Sequence, residues 1–472
     1  MKLQHILILF ISGTLLSGCH IFGNYERPTE VDSLLQTIKY RDVVVQDDSL
    51  NFGTTPWREV FTDPTLQDLI TRVLDQNADM RSADLNLQKA EVGLKLSKYQ
   101  FFLPTISFSP SGTISKVFDM GAENSKTYNF PVSASWQADA FGKLRNSKKQ
   151  VEMQLYEVKE SHHAIRTSLI CTTAQLYYGL QVLDQQLAIT EATLQLWDKN
   201  IQTLEAMKTA GMVNQAAISS AKAQYIQIQA TLPALRNSAT QMENSICLLL
   251  HESPHAIERT AFNPASFNVD LDTGVPFYLL GQRPDVRIAE LELARCFYAK
   301  LGARSAFYPS LSITGNGAFT NSLGSAVVNP GKFIASGIAS LVQPIVQRGQ
   351  LIGQLKVSKL AEQQAELAFE KSLISAATEV SNDVASYRSY EQQLALTRQQ
   401  VAELERANEA THELFLHAGG TTTYLETLTA QMSLLQGQLT LINDQYQMML
   451  SGINLYQALG GGPEETLPQP LP

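Results

Sequence analysis

Arg283-Pro284-Asp285-Val286-Arg287-Ile288-Ala289-Glu290-Leu291 leads through a helical run into Ala306-Phe307-Tyr308-Pro309-Ser310-Leu311-Ser312-Ile313, and the same order of signals has already occurred once in the chain. Asp79-Met80-Arg81-Ser82-Ala83-Asp84-Leu85 leads into Phe101-Phe102-Leu103-Pro104-Thr105-Ile106-Ser107-Phe108, at an offset of 206 for the Asp-x-Arg pair and 205 for the proline. Gln185-Gln186-Leu187-Ala188-Ile189-Thr190 matches Gln392-Gln393-Leu394-Ala395-Leu396-Thr397 at 207, and Ala210-Gly211 matches Ala418-Gly419 at 208. Four matches in register over most of the length point to an internal duplication of about 207 residues.

At 472 residues the chain exceeds one ordinary core, and the duplication supplies two units. A net charge of -9 without a basic stripe argues against nucleic acid as a partner, because phosphate binding needs a concentrated positive surface. No run of about 18 uninterrupted apolar residues could form a spanning helix, so any membrane crossing must be made of strands.

The N-terminus reads as an export signal. Lys2 supplies a positive region, Ile6 to Leu16 an apolar core, and Leu16-Ser17-Gly18-Cys19 resembles the bacterial lipobox, cleaved before a cysteine that is then acylated. Residues 1–18 are therefore expected to be a lipoprotein signal peptide and 19–55 a lipidated linker, with no cofactor beyond the acyl and diacylglycerol chains on Cys19. His20 stands where an aspartate favours inner-membrane retention in many bacterial lipoproteins, and that resemblance implies the outer membrane. Cys171, Cys247 and Cys296 fall in helical apolar patterns and read as small core residues.

Residues 56–262 form the first repeat, 263–462 the second, and 463–472 a tail. Asp63 is a helix N-cap with Pro64 at the first helical position, and that helix is expected to run to about Phe102. From Thr105 the period changes to two. Ile106 and Phe108, then Phe130, Val132, Ala134 and Trp136, alternate with polar residues; Leu311 and Ile313 repeat the pattern, followed by a weaker one from Phe333 to Gln343. Each hairpin is followed by a long proline-free stretch. Helices are expected from near Gly142 to Ala210 and from near Gly349 to Ala418, each roughly 100 Å long. Leu180, Leu183, Leu187, Leu194, Trp197, Ile201 and Leu204 keep coiled-coil spacing. So do Leu425, Leu428, Met432, Leu435, Leu439, Ile442, Tyr446, Met449, Ile453 and Tyr456, with Leu434, Leu441, Met448 and Leu455 forming a second edge. Gly211 and Gly419-Gly420 sit where the long helices must stop, and Pro233 should kink the returning helix.

Four strands per chain cannot close a membrane barrel, since such barrels begin at about eight. Two, three or four copies would give about 8, 12 or 16 strands, and the residues alone do not choose. The fold expected is mixed α and β: an outer-membrane β-barrel completed by oligomerisation and continued by a long helical barrel.

Trp57-x-x-x-Phe61-x-Asp63-Pro64-x-Leu66, Trp136-Gln137-Ala138-Asp139-Ala140-Phe141-Gly142-Lys143, Arg283-Pro284-Asp285-Val286, Phe307-Tyr308-Pro309, Gln343-Pro344-Ile345, Tyr424-Leu425-x-x-Leu428-x-Ala430-Gln431 and Leu459-Gly460-Gly461-Gly462 together resemble the outer-membrane factor family, in its NodT-like and TolC-like efflux lipoprotein branch. The resemblance implies a homotrimer with a 12-stranded barrel and a periplasmic helical barrel. It also implies a periplasmic adaptor (membrane fusion) protein and an inner-membrane RND-type pump as partners, beside outer-membrane lipid. The hairpin tips Gly211-Met212-Val213-Asn214 and Gly419-Gly420-Thr421-Thr422-Thr423 would be the adaptor contacts and aperture. Thr422 stands where family members often carry an acid, so a hydrogen-bonded closure through Thr421 to Thr423 is expected instead, against simple helix capping as the alternative.

The function expected is the exit duct of a tripartite efflux pump for small molecules. The alternatives are the duct of a type I peptide or protein exporter, or a coiled-coil lipoprotein tether. An enzyme is not expected, because hydrolase-elbow, zincin, phosphate-loop and dinucleotide motifs are missing from the sequence. His162-His163 reads as a solvated face of the first long helix.

Overall fold

The computed structural model describes residues 22–29, 31, 55–115, 125–267, 281, 283–320, 332–417 and 424–461. Cys19 and the second tip, Gly419 to Thr423, lie outside them. The chain divides into two compact units: residues 1–34, 85–160 and 287–371 in one, and 35–84, 161–286 and 372–472 in the other. Each unit draws on both repeats. The repeats are units of sequence, because their strand hairpins are hydrogen-bonded into one sheet and neither hairpin stands alone.

The element order is α1 (Trp57–Val60), α2 (Pro64–Gln76), α3 (Ala78–Phe102), β1 (Thr105–Phe108), β2 (Ser111–Ser115), β3 (Ser125–Ala138), α4 (Lys143–Thr209), α5 (Gln215–Gln229), α6 (Leu232–Leu249), α7 (Pro284–Ser305), β4 (Ser310–Thr320), β5 (Lys332–Val342), α8 (Gln350–His417) and α9 (Tyr424–Ala458). The two long helices, of 67 and 68 residues, fall where the proline-free stretches place them, each about 100 Å long at 1.5 Å per residue. Gly142 and Gly349, immediately before them, have φ of 75° and 78°, a conformation that costs a side-chain-bearing residue about 1–2 kcal/mol.

Three expectations need correction. The helix from Pro64 does not run unbroken to Phe102: it stops at Asn77, whose side chain accepts from the amides of Asp79 and Met80 and so caps a new helix. The first strand is in two pieces, β1 and β2. Both pair with β3 in one unshifted register, and the interruption falls where Pro110 and Pro131, which have no amide hydrogen, face the gap. The sheet thus has five strands in four positions, ordered β1/β2, β3, β4, β5. Before Pro233 the returning helix is also broken outright, at Ala230 and Thr231, into α5 and α6.

In the first unit every pairing in the sheet is antiparallel, and the central pair joins the two repeats, Asn129↔Thr320 through Ala138↔Leu311. Paired residues share a face. One face carries Ile106, Phe108, Phe130, Val132, Trp136, Ile313, Phe319, Phe333 and Leu341, all exposed in the single chain. The other carries Ser107, Thr113, Asn129, Ser133, Ser135, Ser312, Thr314, Asn316 and Ser340. β5 explains its weak pattern: Ile334, Ile338 and Val342 fall in the polar register.

In the second unit Leu194, Trp197, Ile201 and Leu204 of α4 pack with Ile218, Ala221 and Ile228 of α5 and with Leu428 and Leu435 of α9. Both seams of α9 contribute, since Ile442, Met449 and Ile453 of the first and Leu455 of the second are buried. Leu425 departs from its seam and is 62% exposed, because it lies in the first turn of α9, beyond the last buried partner, Leu428. Buried at about 25 cal/mol per Å², such side chains contribute about 2 kcal/mol each, which is what holds helices too polar to be stable alone.

Candidate conducting and assembly surfaces

The alternation of β3 sets the geometry of the sheet. Tyr128 and Trp136 stand about 26 Å apart along the strand at 3.3 Å per residue, close to the height of an outward apolar band of a membrane barrel. Aromatic rings gather at both ends of this span. Tyr128 lies 5.9 Å from Phe130 and Phe319 lies 5.1 Å from Phe333 at one end, and Trp136 donates its indole N–H to the Phe101 carbonyl at 3.3 Å at the other. Rings with a polar edge concentrate at bilayer interfaces. On the opposite face the Ser135 and Thr314 hydroxyls lie 3.3 Å apart across two strands. Among the described residues the outer strands β1/β2 and β5 each have one edge unpaired.

The first tip is built by a C-terminal glycine cap. Gly211, at φ 77°, donates to the Lys208 carbonyl at 2.9 Å, and Met212 donates to Met207 at 2.9 Å, which closes the last turn of α4. Asn214 then starts α5 by accepting from the Ala217 amide at 3.0 Å. Between them the two apolar side chains part company. Val213 packs on the Trp197 cluster, whereas Met212 is 70% exposed.

Several polar centres in the second unit escaped the sequence reading. Asp63 accepts from the hydroxyls of Thr260 and Tyr177 at 2.6 and 3.0 Å and from the amide of Thr65 at 2.9 Å. Burial alone would raise its pKa, but these bonds outweigh it and hold the carboxyl below its ordinary value. Only its capping role was visible in the sequence, because Thr260 and Tyr177 are remote along the chain. Arg283 bridges Asp285 and Glu379 and also donates to the Ala458 carbonyl. Beside it, burial and the Glu379 charge, opposed by Arg283, push Asp383 up to about 6.

In the first unit Glu157 of α4 meets Glu292 and Arg295 of α7. Burial, then the hydrogen bond and charge of Glu292, raise its pKa to about 7 against the pull of Arg295. His162 is not solvated as expected: its ring lies 2.8 Å from Asp84 and is only 21% exposed, because α3 covers that side of α4 in the second unit. Among the described residues Cys171, Cys247 and Cys296 are free thiols, the first two buried and Cys296 only partly so, and burial raises the Cys171 thiol to about 12, which leaves it unreactive. No helix among the described residues is long and apolar enough to cross a membrane.

The family model described as outer membrane efflux protein matches the chain twice, over residues 69–250 and 276–461. The chain is a member of the outer membrane efflux protein family. The double match is the duplication seen in the sequence. Among efflux proteins of this kind, the cation efflux system protein CusC of Escherichia coli is 27% identical over 458 residues, covering 97% of this chain and 99% of the relative. The toluene efflux pump outer membrane protein TtgC of Pseudomonas putida is 27% identical over 476 residues, covering 97% and 96%. A solved structure of CusC superposes with a TM-score of 0.81 at 26% identity, over 90% of this chain and 99% of that one. The open-state MtrE channel of Neisseria gonorrhoeae has the same fold, at a TM-score of 0.81 and 23% identity, over 93% of this chain and 98% of that one. As an efflux channel of the outer membrane reaching into the periplasm, the chain must put its apolar sheet face toward lipid and its hydroxyl-lined face toward the passage.

Proposed function

We propose that the chain is the exit duct of a tripartite efflux pump. In this reading it is a homotrimer whose sheets close one barrel, tethered by acyl chains on Cys19 and energised through a periplasmic adaptor by an inner-membrane RND-type pump. The observation that carries the reading is the sheet with one continuous apolar face and, among the described residues, two unpaired edges, which another copy can pair. The cargo class is small toxic compounds. Relatives are named for cations and for toluene, and the described strands put mainly hydroxyl and amide groups on the polar face, so the duct itself imposes little chemical choice.

The tips are the partner-facing ends of the proposal. Met212, exposed beside a partly buried Val213, offers an apolar contact to the adaptor, and for Thr421 to Thr423, which lie outside the described residues, the proposal is a hydrogen-bonded closure of the aperture. The test is single-channel conductance of detergent-purified protein carrying Cys19→Ala, beside the same protein with glycine at 421, 422 and 423. A small, flickering conductance that grows in the glycine variant supports the gated duct. Protein that stays soluble without detergent and never conducts overturns it in favour of a tether.

A further inference from the structure

The chain carries an excess of acid, yet its helix ends next to the sheet are basic. Lys98 precedes β1 by seven residues, Lys143 and Arg145 follow β3 by five and seven, Arg304 precedes β4 by six, and Arg348 follows β5 by six. In the segments 95–104, 139–151, 303–309 and 343–361 the one acid is Asp139, and its carboxylate is occupied by the amides of Leu144 and Arg145 at 2.9 and 2.8 Å. Lys98, Lys143 and Arg348 are exposed and pair with no described residue, and Arg145 is exposed over the Phe22 ring.

Helix electrostatics account for only a small part of this arrangement. Cations favour the last turn of a helix, which suits Arg304, whereas Lys98 lies ahead of the last turn of α3. Lys143 and Arg145 open α4 and Arg348 stands just before α8, where the helix dipole disfavours them, and neither helix has an acid in its first turn. These cations are exposed, where an anionic partner outside the described residues would offset their charge.

Two further features say what it is. Ile345 and Val346, next to Arg348, are 91% and 84% exposed, a paired apolar and basic segment of the kind that settles into the headgroup layer of a bilayer. A cavity of about 260 Å³ opens at the same level, lined by Gln137, Lys143, Tyr308 and Gln347 among others. All of this lies at the Trp136 end of the apolar face, where the interface of the membrane falls.

We propose that Lys98, Lys143, Arg145 and Arg348 form a phosphate-binding collar that selects anionic phospholipid headgroups at the helix-side leaflet of the outer membrane. The proposal rests on the sheet lying in that membrane. Each basic residue near an anionic surface is worth about a fivefold preference.

The test uses full-length protein reconstituted in vesicles of equal phosphatidylglycerol and phosphatidylcholine, re-extracted, and analysed for retained lipid. Wild type at about 0.1 M salt should retain phosphatidylglycerol at least about fivefold over phosphatidylcholine, and about 0.5 M salt should erase most of the excess. The variant Lys98→Gln, Lys143→Gln, Arg145→Gln, Arg348→Gln should retain the two about equally, while Lys98→Arg, Lys143→Arg, Arg145→Lys, Arg348→Lys keeps the preference. Equal retention by wild type, or an undiminished preference in the glutamine variant, overturns the collar. So does a glutamine variant that loses export in cells with its lipid ratio unchanged, which would place an acidic protein on this surface. Conductance of the same vesicles is read separately: its absence in wild type counts against the duct and leaves the lipid ratio readable.

Discussion

Asn77 and Arg283 occupy corresponding places in the two repeats and do corresponding work: the Asn77 amide donates to the Leu249 carbonyl at 2.9 Å, and the Arg283 guanidinium donates to the Ala458 carbonyl. Each side chain stands at the start of a helix that leads toward the strands, and each acceptor closes the returning helix of the same repeat. Helix-terminal carbonyls have no partner within their own helix, so a neighbour that supplies a donor fixes where the helices meet. Asn77→Ala, which loses a cap as well, should destabilise by about 1–2 kcal/mol. Arg283→Ala should cost about 2–3 kcal/mol and push Asp383 further up, because the cation that opposes its shift is gone. Urea titration followed by helical circular dichroism measures the first effect, and carboxyl NMR titration the second. An Arg283→Ala protein with unchanged stability would show the bond to be incidental.

Glu157 should make stability fall as pH rises. Its folded pKa, about 7, lies above the ordinary value of 4.5, so its contribution is complete below about 4.5 and is lost between there and about 7. Glu157→Gln keeps the shape and removes the titration. At pH 8 the variant should be more stable than wild type by about 2 kcal/mol after allowance for partial solvent screening, and at pH 4.5 the two should coincide. Parallel denaturation curves at the two pH values decide it, and an equal gap at both would refute the assignment.

Gly461 is held by both backbone and space. Its φ is 69°, and a Cβ there would stand 2.2 Å from Cγ2 of Thr167. Gly461→Ala should cost about 3 kcal/mol, part left-handed strain and part overlap. Thr167→Ala in the same chain should recover the overlap and leave about 1–2 kcal/mol. A double-mutant cycle on thermal unfolding separates the two parts, and the absence of any recovery would mean that the backbone conformation alone matters.

The architecture was legible because its signals are local and repeated. A period of two with serine on alternate positions predicts a two-faced strand, and long runs without proline predict α4 and α8 to within a residue or two of Lys143–Thr209 and Gln350–His417. What stayed hidden depends on partners distant in sequence. Asn77 could be read as one more polar residue inside a helix, because its capping role appears only when its side chain is seen turned onto Asp79 and Met80. The Glu157 site needs α4 and α7 side by side, and the separation of Met212 from Val213 needs the Trp197 cluster in place. No periodicity encodes those meetings.

That separation predicts opposite phenotypes for neighbouring residues. Val213→Ser exposes a polar group to the packed cluster and should lower stability by about 1–2 kcal/mol. Met212→Ser should leave unfolding unchanged within about 0.5 kcal/mol and instead weaken capture of the adaptor in cross-linking from whole cells. A Met212→Ser protein that assembles normally would remove Met212 from the contact.

The sheet offers the sharpest contrast, because adjacent residues of β3 face opposite media. Val132 pairs with Gly317 on the apolar face, and Ser133 pairs with Asn316 on the polar one. Val132→Lys would put a charge toward hydrocarbon near the middle of the span, at a cost of about 2–4 kcal/mol per chain, multiplied by every copy in the barrel. Folded oligomer resistant to detergent gels should fall sharply. Ser133→Lys adds the same charge to the water-filled side, so assembly should persist while the reversal potential in asymmetric potassium chloride moves toward anion selectivity. If the two variants behaved alike, either both assembling or both failing, the assignment of the faces would be wrong, and with it the reading of this sheet as the wall of a channel.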